Sequence, residues 1–303
     1  MIRSFNEWDT LREVVVGSAV GANWPDQDPI FAGESQRTTW HHTPVPKGPV
    51  PQWIIDETNE DLQSLVDILD DCDVIVHRPR DNDFVMTRGM YNYCPRDRLL
   101  VAGETIIDTA MMYPCRDQEI HYLDFVTAQA TVKSMPRQGM ILDAANVCRL
   151  NDVYLCLISV SGNQAAIDWL GDALPDVQIE TCNFYSGVHI DSTVVPLREG
   201  LVMLRADKIT EQNCPKIFQS WEKIWVKDVA PQDFYQYPWA SDWIAMNLLS
   251  ISTDTVIMDS NQTDLRRTLE KRGITVIPHR LRHSRTLGGG YHCVTLDLWR
   301  ESR

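Results

Sequence analysis

The chain has 303 residues, 44% hydrophobic and 23% charged, with 28 Lys and Arg against 42 Asp and Glu for a formal net charge of −14. That acidity excludes a binder of nucleic-acid phosphates, which needs clustered Lys and Arg, and it suits a cationic substrate, because negative potential concentrates cations. No apolar run reaches the roughly 18 residues that span a bilayer, so no membrane partner is expected.

The N-terminal segment Met1–Trp8 lacks an apolar secretory core, which predicts a cytoplasmic location. The eight cysteines (72, 94, 115, 148, 156, 182, 214 and 293) show no short paired spacing and read as mostly reduced packing thiols.

In chain order, Glu13–Gly17 reads as a strand. Residues 22–52, rich in Pro and Trp, read as a long ordered loop able to cover a site. Leu62, Leu65, Val66 and Leu69 have helical spacing and predict a helix over Glu57–Asp71, followed by a strand at Asp73–His77. The order recurs as strand Val153–Ser159, helix Ala165–Leu174 and strand Val177–Cys182. Ser192–Pro196 and Leu201–Leu204 read as two strands joined at Arg198-Glu199-Gly200, with a helix expected around Lys216–Trp225. Thr255–Met258 is a strand, Asp264–Lys271 a helix that Gly273 is placed to end, and Ile274–Pro278 a strand.

The unit is strand, strand, helix, strand, with a period of about 50 residues. Radial repetition of such units and a doubly wound sheet are both open to an α/β chain of this pattern. No linker or change of composition divides it, so residues 1–303 are expected to form one domain.

Several residues can carry chemistry. In Gly288-Gly289-Gly290-Tyr291-His292-Cys293 a thiol follows a glycine run that lets backbone approach a ligand. A cysteine needs a lowered pKa or a nearby base to act as a nucleophile. His189, with Asp191 on the same strand face, is the better base. His292 is expected to point away from Cys293, since strand neighbours face opposite sides. Asp143 interrupts the apolar run Met140-Ile141-Leu142 and would need a partner if buried. Asp97 precedes the apolar run Leu99–Val101, where an aspartate is ordinarily a turn residue. His279 and His283 stand four apart without an accompanying carboxylate or Cys-x-x-Cys, so no metal is expected. The glycine run lacks the Lys and Ser/Thr of a phosphate loop, which argues against a nucleotide cofactor.

Together these segments resemble the amidinotransferases, the group that contains glycine amidinotransferase and the inosamine-phosphate amidinotransferases. Ser4–Gly17 is similar to the family's opening, and Pro95-Arg96-Asp97, Leu142–Asn146, His189-Ile190-Asp191 and Gly288–Thr295 are similar to its site motifs, in order. The resemblance implies a five-bladed α/β propeller, the pentein fold, built from strand-strand-helix-strand modules around a pseudo-fivefold axis. It implies a site of Cys293, His189 and Asp143, with Asp97 and Asp191 binding a guanidinium and Ser241 contacting substrate. Lys208 falls where glycine amidinotransferase has a substrate-contacting arginine, with Arg205 close by. Val188 stands in place of a methionine, and the segment from Met112 to Asp143 is shorter than in the family. The implied reaction moves the amidino group of L-arginine to a primary amine through an amidino-cysteine, without a cofactor, in a small-molecule enzyme compatible with a homodimer. A guanidino-group hydrolase of the same superfamily and a non-catalytic arginine binder are the competing expectations.

Overall fold

The computed structural model describes residues 1–37, 44–185 and 189–301. Their strands form five three-stranded sheets of one design and a small two-stranded pair. In each sheet the central strand runs antiparallel to one neighbour and parallel to the other. Thr10–Val16 lies between Thr295–Glu301 and Ile75–His77. Thr105–Asp108 lies between Leu99–Ala102 and Thr131–Ser134, and Val153–Leu157 between Val147–Leu150 and Gln178–Cys182. Leu201–Arg205 lies between Val194–Arg198 and Glu222–Val226, and Thr255–Asp259 between Leu249–Ser252 and Thr275–His279. Each described sheet stops at three strands, which removes the doubly wound alternative.

Antiparallel neighbours need only a tight turn, whereas a parallel partner demands a crossover. Helices fill most of these crossovers: Gln52–Asp71 in the first module, Gln164–Ala173 in the third and Thr263–Glu270 in the fifth. The first helix begins earlier than expected because Ile54 and Ile55 extend its buried stripe of Thr58, Leu62, Leu65 and Leu69. Gly273 ends the last one with φ 73°, a left-handed angle a side chain would resist. The second module uses a 3-10 helix, Pro114–Leu123, and a turn of α-helix, Asp124–Thr127.

Two expectations are corrected. The helix expected over 216–225 is only the turn Lys216–Phe218, and Glu222–Val226 is a strand. In Glu222-Lys223-Ile224-Trp225-Val226 only Ile224 and Val226 are fully buried, a period of two that belongs to a strand. Within residues 22–52 the chain is not one loop. Asn23–Trp24 pairs with Gly48–Pro49, and Pro29–Arg37 is a helix. Asp28 starts that helix by accepting from the amides of Ile30 and Phe31 at 2.9 and 3.1 Å. Its Phe31 stacks on Trp239, with ring centroids 4.7 Å apart, so this segment does pack beside the glycine-run loop.

The polar side of the core centres on Arg149, which is 1% exposed. Its guanidinium donates to Glu7 at 2.9 and 2.7 Å, to Asp297 at 2.8 Å, to Ser4 Oγ at 2.8 Å and to the Val101 carbonyl at 2.9 Å. Arg96 and Arg300 also pair with Asp297. Burial works against the Asp297 and Glu7 anions, but the surrounding guanidinium groups hold both well below the ordinary carboxylate range. This network ties the N-terminal segment, the second and third modules and the final strand together. Arg149→Met would leave Glu7 and Asp297 short of a counter-charge and is expected to destabilise the fold by about 3–5 kcal/mol, read by denaturant unfolding. A change below about 1 kcal/mol would show that the network is not stabilising in this sense.

Candidate active site

The thiol of Cys293 sits in the turn between the glycine run and the final strand. Backbone is squeezed here from both sides. A Cβ on Gly289 would lie 2.4 Å from Cys94 Sγ, and one on Gly290 would lie 2.7 Å from Asn247 Oδ1. Tyr93 Oη donates to the Gly289 carbonyl at 3.1 Å. Asn247 then braces the turn: its Oδ1 accepts from the amides of His292 and Cys293 at 2.9 and 3.1 Å, and its Nδ2 donates to the Asp191 carbonyl at 3.3 Å. Gly289→Ala is expected to destabilise by about 1–3 kcal/mol through overpacking. Cys94→Ala in the same chain should restore most of it, because the offending atom is Cys94 Sγ. Denaturant melts of the single and double variants test this, and equal losses in both would rule out the stated clash.

His189 and Asp143 meet across two modules. Asp143 precedes the 3-10 turn Ala144–Asn146, and its two oxygens are divided. Oδ1 accepts from the Met112 amide at 2.8 Å, and Oδ2 faces His189 Nε2 at 3.0 Å. The segment 112–143 thus closes on itself at this carboxylate. His189 has φ 50°, an uncommon angle for a residue with a Cβ, and its carbonyl accepts from Tyr185 Oη. Its Nδ1 lies 3.6 Å from Asp97 Oδ1. Burial lowers the imidazole pKa, but the charge of Asp97 and the hydrogen bond and charge of Asp143 outweigh it and push His189 up to about 9. At neutral pH the ring is therefore cationic.

Asp97 occupies the short helix Pro95–Arg98. Arg116 Nη1 donates to its Oδ2 at 2.8 Å, and the same guanidinium also grips Glu119 and the Cys94 carbonyl. The other Asp97 oxygen, Oδ1, is buried and has no hydrogen-bond partner among the described residues. A buried carboxylate oxygen left open beside a histidine is an acceptor awaiting a donor.

Asp191 completes the cluster. Its Oδ2 accepts from Cys293 Sγ at 3.3 Å and lies 2.9 Å from His292 Nδ1. Burial, followed by the charges of Asp191, Cys94 and Asp97, pushes the Cys293 thiol well above its ordinary range. A cation arriving between these carboxylates would reverse that balance.

Cys293, His189, Asp143, Asp97 and Asp191 are therefore gathered into one group, buried except for a partly exposed His189. Ser241 lies at the start of the turn Asp242–Met246, two residues from Trp239, which packs on Gly288. Arg205 is tied to Asp207 at 2.6 and 2.8 Å with its guanidinium over the Trp243 ring, and Lys208 lies 3.8 Å from Asp207. Val188 falls outside the described residues. Residues 189–193 form a turn and not the expected strand, and His189 and Asp191 reach different partners. His292 likewise lies in a turn, where strand alternation has no bearing, and it contacts the group through Asp191. Asn247, Arg116 and Glu7 were not singled out from sequence. Asn247, a lone amide within Ala245-Met246-Asn247-Leu248-Leu249, carried the same signal that marked Asp143. Among the described residues no group of three or more His, Cys, Asp or Glu side chains could hold a metal ion. None of their helices is long and apolar enough to cross a membrane.

Five small α/β sheets and this Cys-His-carboxylate group define a protein of the pentein fold. No family model matches the chain. It is 37% identical over 340 aligned positions to inosamine-phosphate amidinotransferase 1 of Streptomyces griseus, covering 100% of this chain and 98% of that one. It is 25% identical to the L-arginine:L-lysine amidinotransferase of Pseudomonas savastanoi pv. phaseolicola, covering 99% and 94%. Among solved structures, the inosamine-phosphate amidinotransferase of Streptomyces griseus superposes with TM-score 0.88 at 35% identity over 100% and 98% of the two chains. DDAH from Pseudomonas aeruginosa, at 14% identity and TM-score 0.68 over 95% and 99%, shares the fold. The chain belongs to the amidinotransferase family. The 340-position alignment exceeds the 303 residues here, so that relative carries residues with no counterpart in this chain.

Proposed function

We propose that the chain transfers the amidino group of L-arginine to a primary amine and releases L-ornithine, with Cys293 as the nucleophile. The observation that carries this reading is the open, buried Asp97 Oδ1 facing a cationic His189 beside a thiol hydrogen-bonded to Asp191. A guanidinium is planar, permanently charged and a fork of donors, so carboxylates can hold it by paired hydrogen bonds. Asp97 and Asp191 take that role. The bound cation lowers the thiol pKa, and Sγ releases its proton to solvent as the substrate seats, leaving a thiolate beside the cation.

Sγ then attacks the central guanidino carbon, forming a C–S bond. His189 gives its proton to the ornithine nitrogen as that C–N bond breaks, and the amidino group remains on sulfur. Asp143, fixed by the Met112 amide, keeps the His189 ring oriented and cationic. Neutral His189 next takes a proton from the incoming amine, which attacks the same carbon and expels the thiolate. Ser241, Arg205 and Lys208 belong to the proposal as substrate contacts, the last two once they leave Asp207. The name of the arginine:lysine relative supports arginine as donor. The proposal extends to one domain over residues 1–303, its five sheets as blades about a pseudo-fivefold axis, acting in the cytoplasm as a homodimer.

The test is an amine screen with labelled arginine, read by the mass of guanidinylated products. Labelled product that depends on the amine is the expected result. Urea, citrulline or ammonia as the sole products at every amine concentration would instead indicate a hydrolase.

A further inference from the structure

His292 follows Tyr291 in the turn that presents Cys293, yet its ring reaches the other side of Asp191. Each ring nitrogen meets a carboxylate. Nδ1 lies 2.9 Å from Asp191 Oδ2, and Nε2 lies 3.1 Å from Glu7 Oε2. The Asp191 oxygen that faces Nδ1 is the one that accepts from Cys293 Sγ at 3.3 Å. Glu7 is held in turn by two hydrogen bonds from Arg149 at 2.9 and 2.7 Å. A largely buried chain of contacts thus runs from the thiol through Asp191, the partly exposed His292 and Glu7 to the Arg149 network.

We infer that His292 is a positioning residue for the transfer, donating from Nδ1 to fix Asp191 against the Cys293 sulfur while Glu7 anchors the far end of its ring. This rests on reading Cys293 as the nucleophile. Ionised carboxylates only accept hydrogen bonds, so a ring nitrogen facing one must donate. Without that donor, Asp191 Oδ2 would keep only the thiol, a weak partner, and the carboxylate could turn away. Burial opposes the Asp191 anion, and the hydrogen bond and charge of His292, helped by His189 and Asn247, outweigh it and lower its pKa. The groups facing Asp191 are His292, His189, Cys293 and Asn247, with Glu7 and Arg149 beyond His292.

Three variants separate positioning from core filling. H292N keeps an amide donor near the Nδ1 position, H292Q reaches instead toward Glu7, and H292L fills volume with no donor. With arginine, H292L is expected to lose about 100-fold in kcat/KM, as buried supporting hydrogen bonds commonly give. H292N should regain about tenfold of it, and H292Q should not. The acid limb of the H292L profile should move to higher pH, because burial then acts on Asp191 without His292 to oppose it. H292Q matching H292N, or H292L within about threefold of the unsubstituted chain with the same acid limb, would overturn the inference. If H292L does not fold, the H292N and H292Q pair decides. The unsubstituted chain is assayed beside them. If it shows no arginine-dependent turnover, the reading of Cys293 fails, and iodoacetamide alkylation of Cys293 against pH then decides whether His292 acts on the sulfur at all. A midpoint that moves upward in H292L and less in H292N upholds that action, and an unmoved midpoint overturns it.

Discussion

Replacing Cys293 by alanine is expected to lower arginine-dependent turnover by about four orders of magnitude or more, because no second thiol can take its place. Cys94, although close, is buried, and its thiol is pushed well up, first by burial and then by the charge of Asp97. Loss of one buried sulfur should shift Tm by only about 2–4 °C. Steady-state kinetics and a thermal melt check both halves. Serine at 293 should rescue little, since its hydroxyl is a poorer nucleophile whose pKa lies too far above that of a thiol for a bound cation to ionise it near neutral pH. A Cys293→Ala protein retaining a tenth of the activity would place the chemistry elsewhere.

The second large effect concerns His189 and its two carboxylates. The proposed first half-reaction needs a protonated ring, so its rate should fall as pH rises through about 9. The sign follows from the direction of the shift: the pKa is raised in the folded site, so the cation persists across neutral pH and is lost only on the alkaline side. Asp143→Asn removes a hydrogen bond and a charge that favour the cation. It should cost about 10²–10³-fold in kcat and bring the alkaline limb down by about one pH unit or more. The burst of ornithine measured against pH in both proteins tests this. An alkaline limb unchanged by Asp143→Asn would mean that Asp143 does not set the charge of His189.

Much of this was legible in the chain itself. Periodicity located the helix over Glu57–Asp71, though not its first turn from Gln52, and the strand and helix order of the third and fifth modules, because a buried stripe repeats every three to four residues in one element and every two in the other. It failed at Lys216–Val226, where a five-residue strand is too short for its alternation to stand out from a helical spacing. It failed again at Pro29–Arg37, where a segment rich in Pro and Trp suggested a loop while the Asp28 cap starts a helix. Asp143 was legible because a carboxylate inside an apolar run has to find a partner, and it finds two. Asp97 was weaker, since an aspartate at a strand entrance is ordinarily a turn residue. Only the fold reveals that one of its oxygens is bound by Arg116 and the other is left open. From sequence His292 reads only as a strand neighbour pointing away from Cys293, and its partners cannot be read there. Its partners, Glu7 and Asp191, lie 285 and 101 residues away, and only the closure of the final strand onto the first brings Glu7 within reach.

The most direct measurement is the intact mass of the protein after incubation with arginine and no acceptor, quenched in acid. One amidino group on Cys293, absent in Cys293→Ala and discharged when an amine is added, is the predicted result. Arginine consumed with no covalent species on Cys293 at any quench time would contradict it.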